Sequence, residues 1–211
     1  MIDIYPVTNQ QYKAFIEAGG YENEKLWDTE GWDWRMKNNI TLPAFWDDEK
    51  WNSPSHPVVG VSFYEAQAYA RSQGKRLPNE LEWERAARGA EGNAYPWGNQ
   101  FDPEKCNTKE SGSGKTSRVT RYPNGVSPSG CYDMVGNVWE WTDGKSESSA
   151  TLPGGAWERG QTIHKEPFQS VRHLLSPGIR PSAFDAWQTM GSQRFLTINV
   201  SRLQPELPDI Y

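Results

Sequence analysis

The 211 residues carry a formal charge of -5 and only 36% hydrophobic side chains, yet 11 Trp, 9 Tyr and 7 Phe supply the large buried areas that disordered chains lack. A chain this long buries enough surface to fold without staples, and its 19 Gly and 15 Pro exclude a bundle of long helices. Scattered Lys and Arg in an acidic chain leave no footprint for a phosphate backbone, and no run of about 18 apolar residues exists, so nucleic acid and a membrane span are both excluded.

The segment from Met1 to Pro6 has neither a basic head nor an apolar run of signal length, which predicts a cytoplasmic protein. Thr8 followed at the third helical position by Gln11 predicts a first helix, with Tyr12, Phe15 and Ile16 on one face and Gly19-Gly20 as its stop. From Tyr21 to Pro57 the chain reads as an irregular insertion packed on the body. Five tryptophans fall in it (Trp27, Trp32, Trp34, Trp46, Trp51), either stapling the insertion to the core or presenting an aromatic ligand surface. Ser62 with Glu65 predicts a second helix ended by Gly74, and Asn79 with Glu82 predicts a third ended by Gly89.

Beyond Gly89 helical periodicity fades, and segments such as Val138-Trp139-Glu140-Trp141-Thr142 alternate as half-buried strands do. Cys106 and Cys131 are equally compatible with a disulfide and with two free thiols in a reducing compartment. No repeat or linker breaks the composition, so residues 1–211 are expected to form one domain with the aromatic insertion at about 21–57.

Six motifs in order carry a resemblance: Tyr5-Pro6-Val7-Thr8-Asn9, His56 to Ser62, Gly74 to Glu84, Pro96-Trp97-Gly98, Gly136 to Trp141, and Gly154-Gly155-Ala156-Trp157. In that order they resemble the landmarks of the sulfatase-modifying-factor domain, the formylglycine-generating-enzyme family. The resemblance implies an α+β fold, a loop-rich variant of the C-type lectin fold with a small antiparallel sheet and short peripheral helices. The aromatic insertion is also similar to the branch found as the C-terminal domain of ergothioneine-synthase-type sulfoxide synthases. Those enzymes hold iron with histidines from a separate helical domain, whereas this chain has three histidines in all.

Formylglycine-generating enzymes bind copper through a cysteine pair after the Gly-Gly motif, because soft thiolates select Cu(I). Here the matching positions fall on Arg159 and His164, and a guanidinium stays protonated and ligates nothing. Iron and copper are therefore not expected. His164 and His173, with Glu158, Glu166 or Asp185, form the candidate catalytic or metal group if one exists, although their spacing fixes no common face; His56 reads as structural.

The family resemblance implies structural calcium at Asp133, Gly136, Val138 and Glu140, since hard oxygen ligands from a curved loop suit that ion. Gly112-Ser113-Gly114-Lys115-Thr116 lacks the upstream glycine and the helix that a phosphate loop needs, and no serine sits in a nucleophile elbow.

The main expectation is a non-catalytic module binding a protein or small-molecule ligand on its C-terminal loops, through Trp157, Arg159, His164, Arg172, His173, Arg180, Asp185 and Trp187. The alternative is an oxygen-dependent metalloenzyme using iron or copper through His164 and His173, or belonging to the sulfoxide-synthase branch. A missing upstream domain or a partner chain is compatible with either.

Overall fold

Side-chain caps, more than helix propensity, set the frame of the N-terminal half. The computed structural model describes residues 1–111, 113–143, 196–198 and 201–202. Helix α1 (Asn9–Glu17), α3 (Phe63–Ser72) and α4 (Glu80–Arg88) each begin with a complete capping box, built by Thr8 with Gln11, Ser62 with Glu65, and Asn79 with Glu82. Each box satisfies two backbone N–H groups that the first turn would otherwise leave without partners. The helices end where the sequence places them: α4 closes on Gly89 at φ 68°, and Gly74, just after α3, has φ 64°.

The insertion is more regular than expected. It contains a 3-10 turn (Glu24–Leu26) and a fourth helix, α2 (Thr29–Lys37), capped by Asp28, whose carboxylate accepts from the Gly31 N–H at 2.7 Å. Its tryptophans staple it to the body. Trp27 and Trp51 are buried, Trp32 and Trp46 pack half-buried against the main core, and Trp34 lies against Tyr64 with ring centroids 5.4 Å apart.

That core gathers Tyr12, Phe15, Tyr21, Trp27, Val58, Tyr69 and Trp141 from α1, the insertion, α3 and the strand region. A second cluster packs Trp83, Ala86 and Ala87 of α4 on Cys131 and Met134. Both cysteines are free and buried, so the disulfide alternative falls. Burial pushes the Cys106 thiol up to about 12 and the Cys131 thiol up to about 11, leaving neither a ready nucleophile.

Regular strands are few and short. β1 (Lys75–Arg76) pairs antiparallel with β4 (Ser201–Arg202), while β2 (Trp139–Trp141) pairs parallel with β3 (Leu196–Ile198), so among the described residues the expected small antiparallel sheet is two separate two-stranded ladders, one of them parallel. Turns and 3-10 segments fill the stretch between α4 and β2, with 3-10 turns at Pro103–Lys105, Lys109–Ser111 and Pro123–Gly125. Gly125 is required there because a Cβ would collide with the Lys105 carbonyl oxygen. Among the described residues no helix is long and apolar enough to cross a membrane.

Glu65 links the capping of α3 to the core. Its carboxylate accepts from the Ser62 N–H at 2.7 Å and from the Tyr21 hydroxyl at 2.5 Å, and the Tyr21 hydroxyl lies 3.2 Å from that of Tyr12. Burial pushes Glu65 up to about 7, and the hydrogen bonds from Tyr21 and Ser62 only partly oppose it. Because the folded-state value lies above the unfolded one, the folded chain holds this proton more tightly, and stability falls as pH rises from about 4.5 to about 7. Chemical denaturation across that window should show the loss, at most about 1.4 kcal/mol for each pH step of one crossed. Glu65→Gln should remove this residue's share of the slope.

Candidate functional site

The turn from Asp133 to Glu140 folds back on itself because three features force it. Asp133, Gly136 and Asn137 all have positive φ (56°, 85° and 62°), and asparagine and aspartate tolerate that region better than other side chains. Gly136 is also needed sterically, since a Cβ would meet the Asn107 carbonyl oxygen at 2.5 Å. The Asn137 N–H donates to that same carbonyl at 2.8 Å, joining the turn to the loop at Asn107.

The Asn137 side chain is fully buried and its amide is hydrogen-bonded on both sides. Its Oδ1 accepts from the Ser117 N–H at 2.9 Å and from Asn107 Nδ2 at 3.0 Å, and its Nδ2 donates to the Ser117 carbonyl at 3.1 Å and to Asp133 Oδ2 at 2.9 Å. Asn107, also fully buried, donates to the Lys115 carbonyl and accepts from the Ser113 hydroxyl. Residues 113–115 thus clamp Asn107, in line with their rejection as a phosphate loop.

From this polar knot the chain enters β2, whose Trp139, Glu140 and Trp141 are all buried. Glu140 Oε2 accepts from the Trp83 indole of α4 at 2.5 Å, and the Trp141 indole donates to the Val61 carbonyl at 2.9 Å. Asp133 is pushed up to about 8, chiefly by burial and further by the charge of Glu140, against the Asn137 hydrogen bond that pulls it down.

These contacts bear on the four residues expected to hold calcium. The Asp133 and Glu140 carboxylates are turned to protein donors, and the Gly136 carbonyl accepts from the Val138 N–H at 2.8 Å. Calcium is not shown at this turn. Among the described residues no group of three or more His, Cys, Asp or Glu stands close enough to hold a metal ion, so the described side chains do not fit an iron site. His56 is half-buried with Nδ1 3.0 Å from the Thr116 hydroxyl, and burial, then Lys115, lowers its pKa. Trp157, Arg159, His164, Arg172, His173, Arg180, Asp185 and Trp187 lie outside the described residues, as do Glu158 and Glu166. The nearest described chain is β3, which sets backbone from the C-terminal segment beside Trp139 and Glu140.

A feature with little signature in the sequence is an open cleft of about 1050 Å³ between α1 and the end of the insertion. Asn9, Gln10, Lys13, Ala14 and Glu17 form one wall, and Trp46, Asp47 and Asn52 stand opposite. The signal that could have found it is a helix face with small Ala14 between long polar residues.

Known proteins sort the competing readings. The model of the sulfatase-modifying factor enzyme 1-like domain matches residues 1–182. A protein named hercynine oxygenase from Mycolicibacterium thermoresistibile is 37% identical over 86% of this chain and 49% of its own length. A formylglycine-generating enzyme from Thermomonospora curvata is 35% identical over 67% of this chain and 58% of its own length. The chain therefore spans about half the length of the curated relatives it matches.

Among solved structures, CarF superposes with a TM-score of 0.58 at 19% identity, covering 97% of this chain and 86% of its own, which supports the α+β fold alone. The similarity to hercynine oxygenases overturns the expectation of a non-catalytic binding module, and with it the expectation that iron and copper have no part. The error was to treat the missing cysteine pair as the loss of all oxygen chemistry, when it argues only against the copper-thiolate route.

Replacing Asn137 by Ala removes four buried hydrogen bonds at a positive φ. It should lower stability by roughly 3 kcal/mol or more, read as a shift of the denaturant midpoint. A surface change such as Gln10→Ala should stay within about 0.5 kcal/mol.

Proposed function

Because the chain belongs to the sulfatase-modifying factor enzyme 1-like domain family, we propose that it is the family domain of an oxygenase of the hercynine-oxygenase branch, acting on hercynine or a close relative. The observation that carries this reading is the 37% identity across 86% of the chain, joined to the absence of the copper-binding cysteine pair at Arg159 and His164. A copper oxidase of the formylglycine type needs those thiolates, whereas an oxygenase that takes iron through histidine does not. The scaffold is the C-type-lectin variant, and the two buried free thiols suit a reducing cytoplasm.

Among the described residues no cluster of three metal-ligating side chains is assembled, so iron is not assigned to them. Their part is to fix the scaffold. The Asn107–Asn137 knot and the Glu140–Trp83 bond anchor β2, and β2 pairs with β3, the described strand that follows His164, His173 and the other candidates in the sequence. Catalytic loops gain precision from such a support.

The test is oxygen consumption by the whole protein supplied with ferrous iron, hercynine and a cysteine-type thiol. Hercynine-dependent uptake is expected, with a product in which the whole thiol is joined to hercynine through sulfur, heavier by the thiol plus one oxygen less two hydrogens, the second oxygen atom leaving as water. Conversion of a peptidyl cysteine to an aldehyde, or no uptake from iron-loaded protein, would overturn the reading. His164→Ala and His173→Ala should each cut uptake at least tenfold.

A further inference from the structure

We propose that the buried Tyr12–Tyr21–Glu65 triad is a one-electron relay, collecting oxidising equivalents that reach the rings of Trp27, Trp32 and Trp46 and holding them as a neutral radical on Tyr21. The proposal rests on the oxygenase reading only for the origin of the oxidant, an oxygen-derived one-electron oxidant such as hydroxyl radical.

Ring contacts make a continuous path. Trp32 lies 6.4 Å from Trp27, Trp27 5.7 Å from Tyr21, and Trp46 6.1 Å from Tyr12, centroid to centroid. The Tyr21 and Tyr12 hydroxyls are 3.2 Å apart. Both ends of the path, Trp32 and Trp46, are half-buried, and Trp46 lines the open cleft where a small solute can reach it. The interior members, Tyr12, Tyr21 and Trp27, are shielded from solvent, which protects a radical from side reactions.

Proton acceptors decide where the oxidation comes to rest. The Trp27 indole donates to the Gly20 carbonyl at 3.0 Å, and a carbonyl cannot keep a proton. Tyr21 instead donates at 2.5 Å to a fully buried carboxylate, which can. Burial strengthens Glu65 as a base by raising its proton affinity.

Electrons and protons balance at each step. The oxidant takes one electron from Trp32, hydroxyl radical becoming hydroxide, and Trp27 refills Trp32, which leaves the indole radical cation on Trp27. Tyr21 returns an electron to Trp27 as its hydroxyl proton passes to Glu65, giving neutral Trp27, a neutral tyrosyl radical and a protonated carboxyl. Recovery reverses this: a small thiolate at the cleft supplies an electron through Trp46 and Tyr12 and becomes a thiyl radical, while Glu65 gives the proton back to Tyr21.

The whole protein, without iron or hercynine, can be photo-oxidised with tris(bipyridine)ruthenium and a sacrificial electron acceptor, then frozen for electron paramagnetic resonance. A tyrosyl signal is expected. Tyr21→Phe should reduce it several-fold and raise kynurenine at Trp27, Trp32 and Trp46 in peptide mass spectrometry. Glu65→Gln, in alkaline buffer that keeps the native carboxylate ionised, should reduce the signal while every tyrosine remains. An undiminished tyrosyl signal in Tyr21→Phe, or unchanged tryptophan damage, would overturn the relay. Since Phe fills the Tyr21 site, that variant serves even if Glu65→Gln does not fold. Failure here leaves the oxygenase reading intact, because neither hercynine nor iron enters the measurement.

Discussion

The Asn137 amide carries more of this architecture than any stretch of regular structure does. Four hydrogen bonds from one buried side chain tie together three loops that share no helix or strand: the segment at Asn107, the segment at Ser117 and the turn at Asp133. In a region built mainly from turns and one-turn 3-10 segments, backbone groups cannot all find partners in ladders, and side-chain amides supply them instead. A fully satisfied buried network specifies one arrangement, because every alternative leaves a donor or acceptor without water or protein. The direction in which β2 leaves the turn follows from this knot.

The parts of the fold that were legible in the sequence are those set by local chemistry. Thr8, Ser62 and Asn79 mark helix starts because a hydroxyl or amide oxygen three residues before a Glu or Gln has a specific geometric task, and that task needs no distant partner. Helix α2 was missed for an equally physical reason. Its large apolar residues, Trp32, Trp34 and Met36, fall at every second position, a strand-like spacing, and only the Asp28 cap announced the helix. β2 misled in the opposite direction: alternation around Glu140 implied one wet face, yet both faces are covered and the carboxylate is held by an indole.

The chemistry of the site was less legible because it depends on residues far apart in sequence. Asp133 and Glu140 have the side chains a hard cation prefers; Asn137 engages Asp133 from four residues away, but nothing near Glu140 in the chain announces that the Trp83 indole engages it. The separation between Trp83 and Glu140 is 57 residues. The absent cysteines were read correctly as a fact and too broadly as an inference, since a scaffold can host a different metal once one ligand set is gone.

The pairing of the strands also bears on how the molecule is made. β1 and β2 both find their partners in the segment around residues 196–202, whereas the described rings of the aromatic core, from Tyr12 to Trp141, all precede that segment. A nascent chain can therefore cap its helices and collect its rings while the ribosome is still extending it, with both ladders waiting for that later segment to emerge. Closing such long loops is an entropic cost met late, so the exposed edges of Lys75 and Trp139 are the places where a chaperone or a neighbouring nascent chain would first compete.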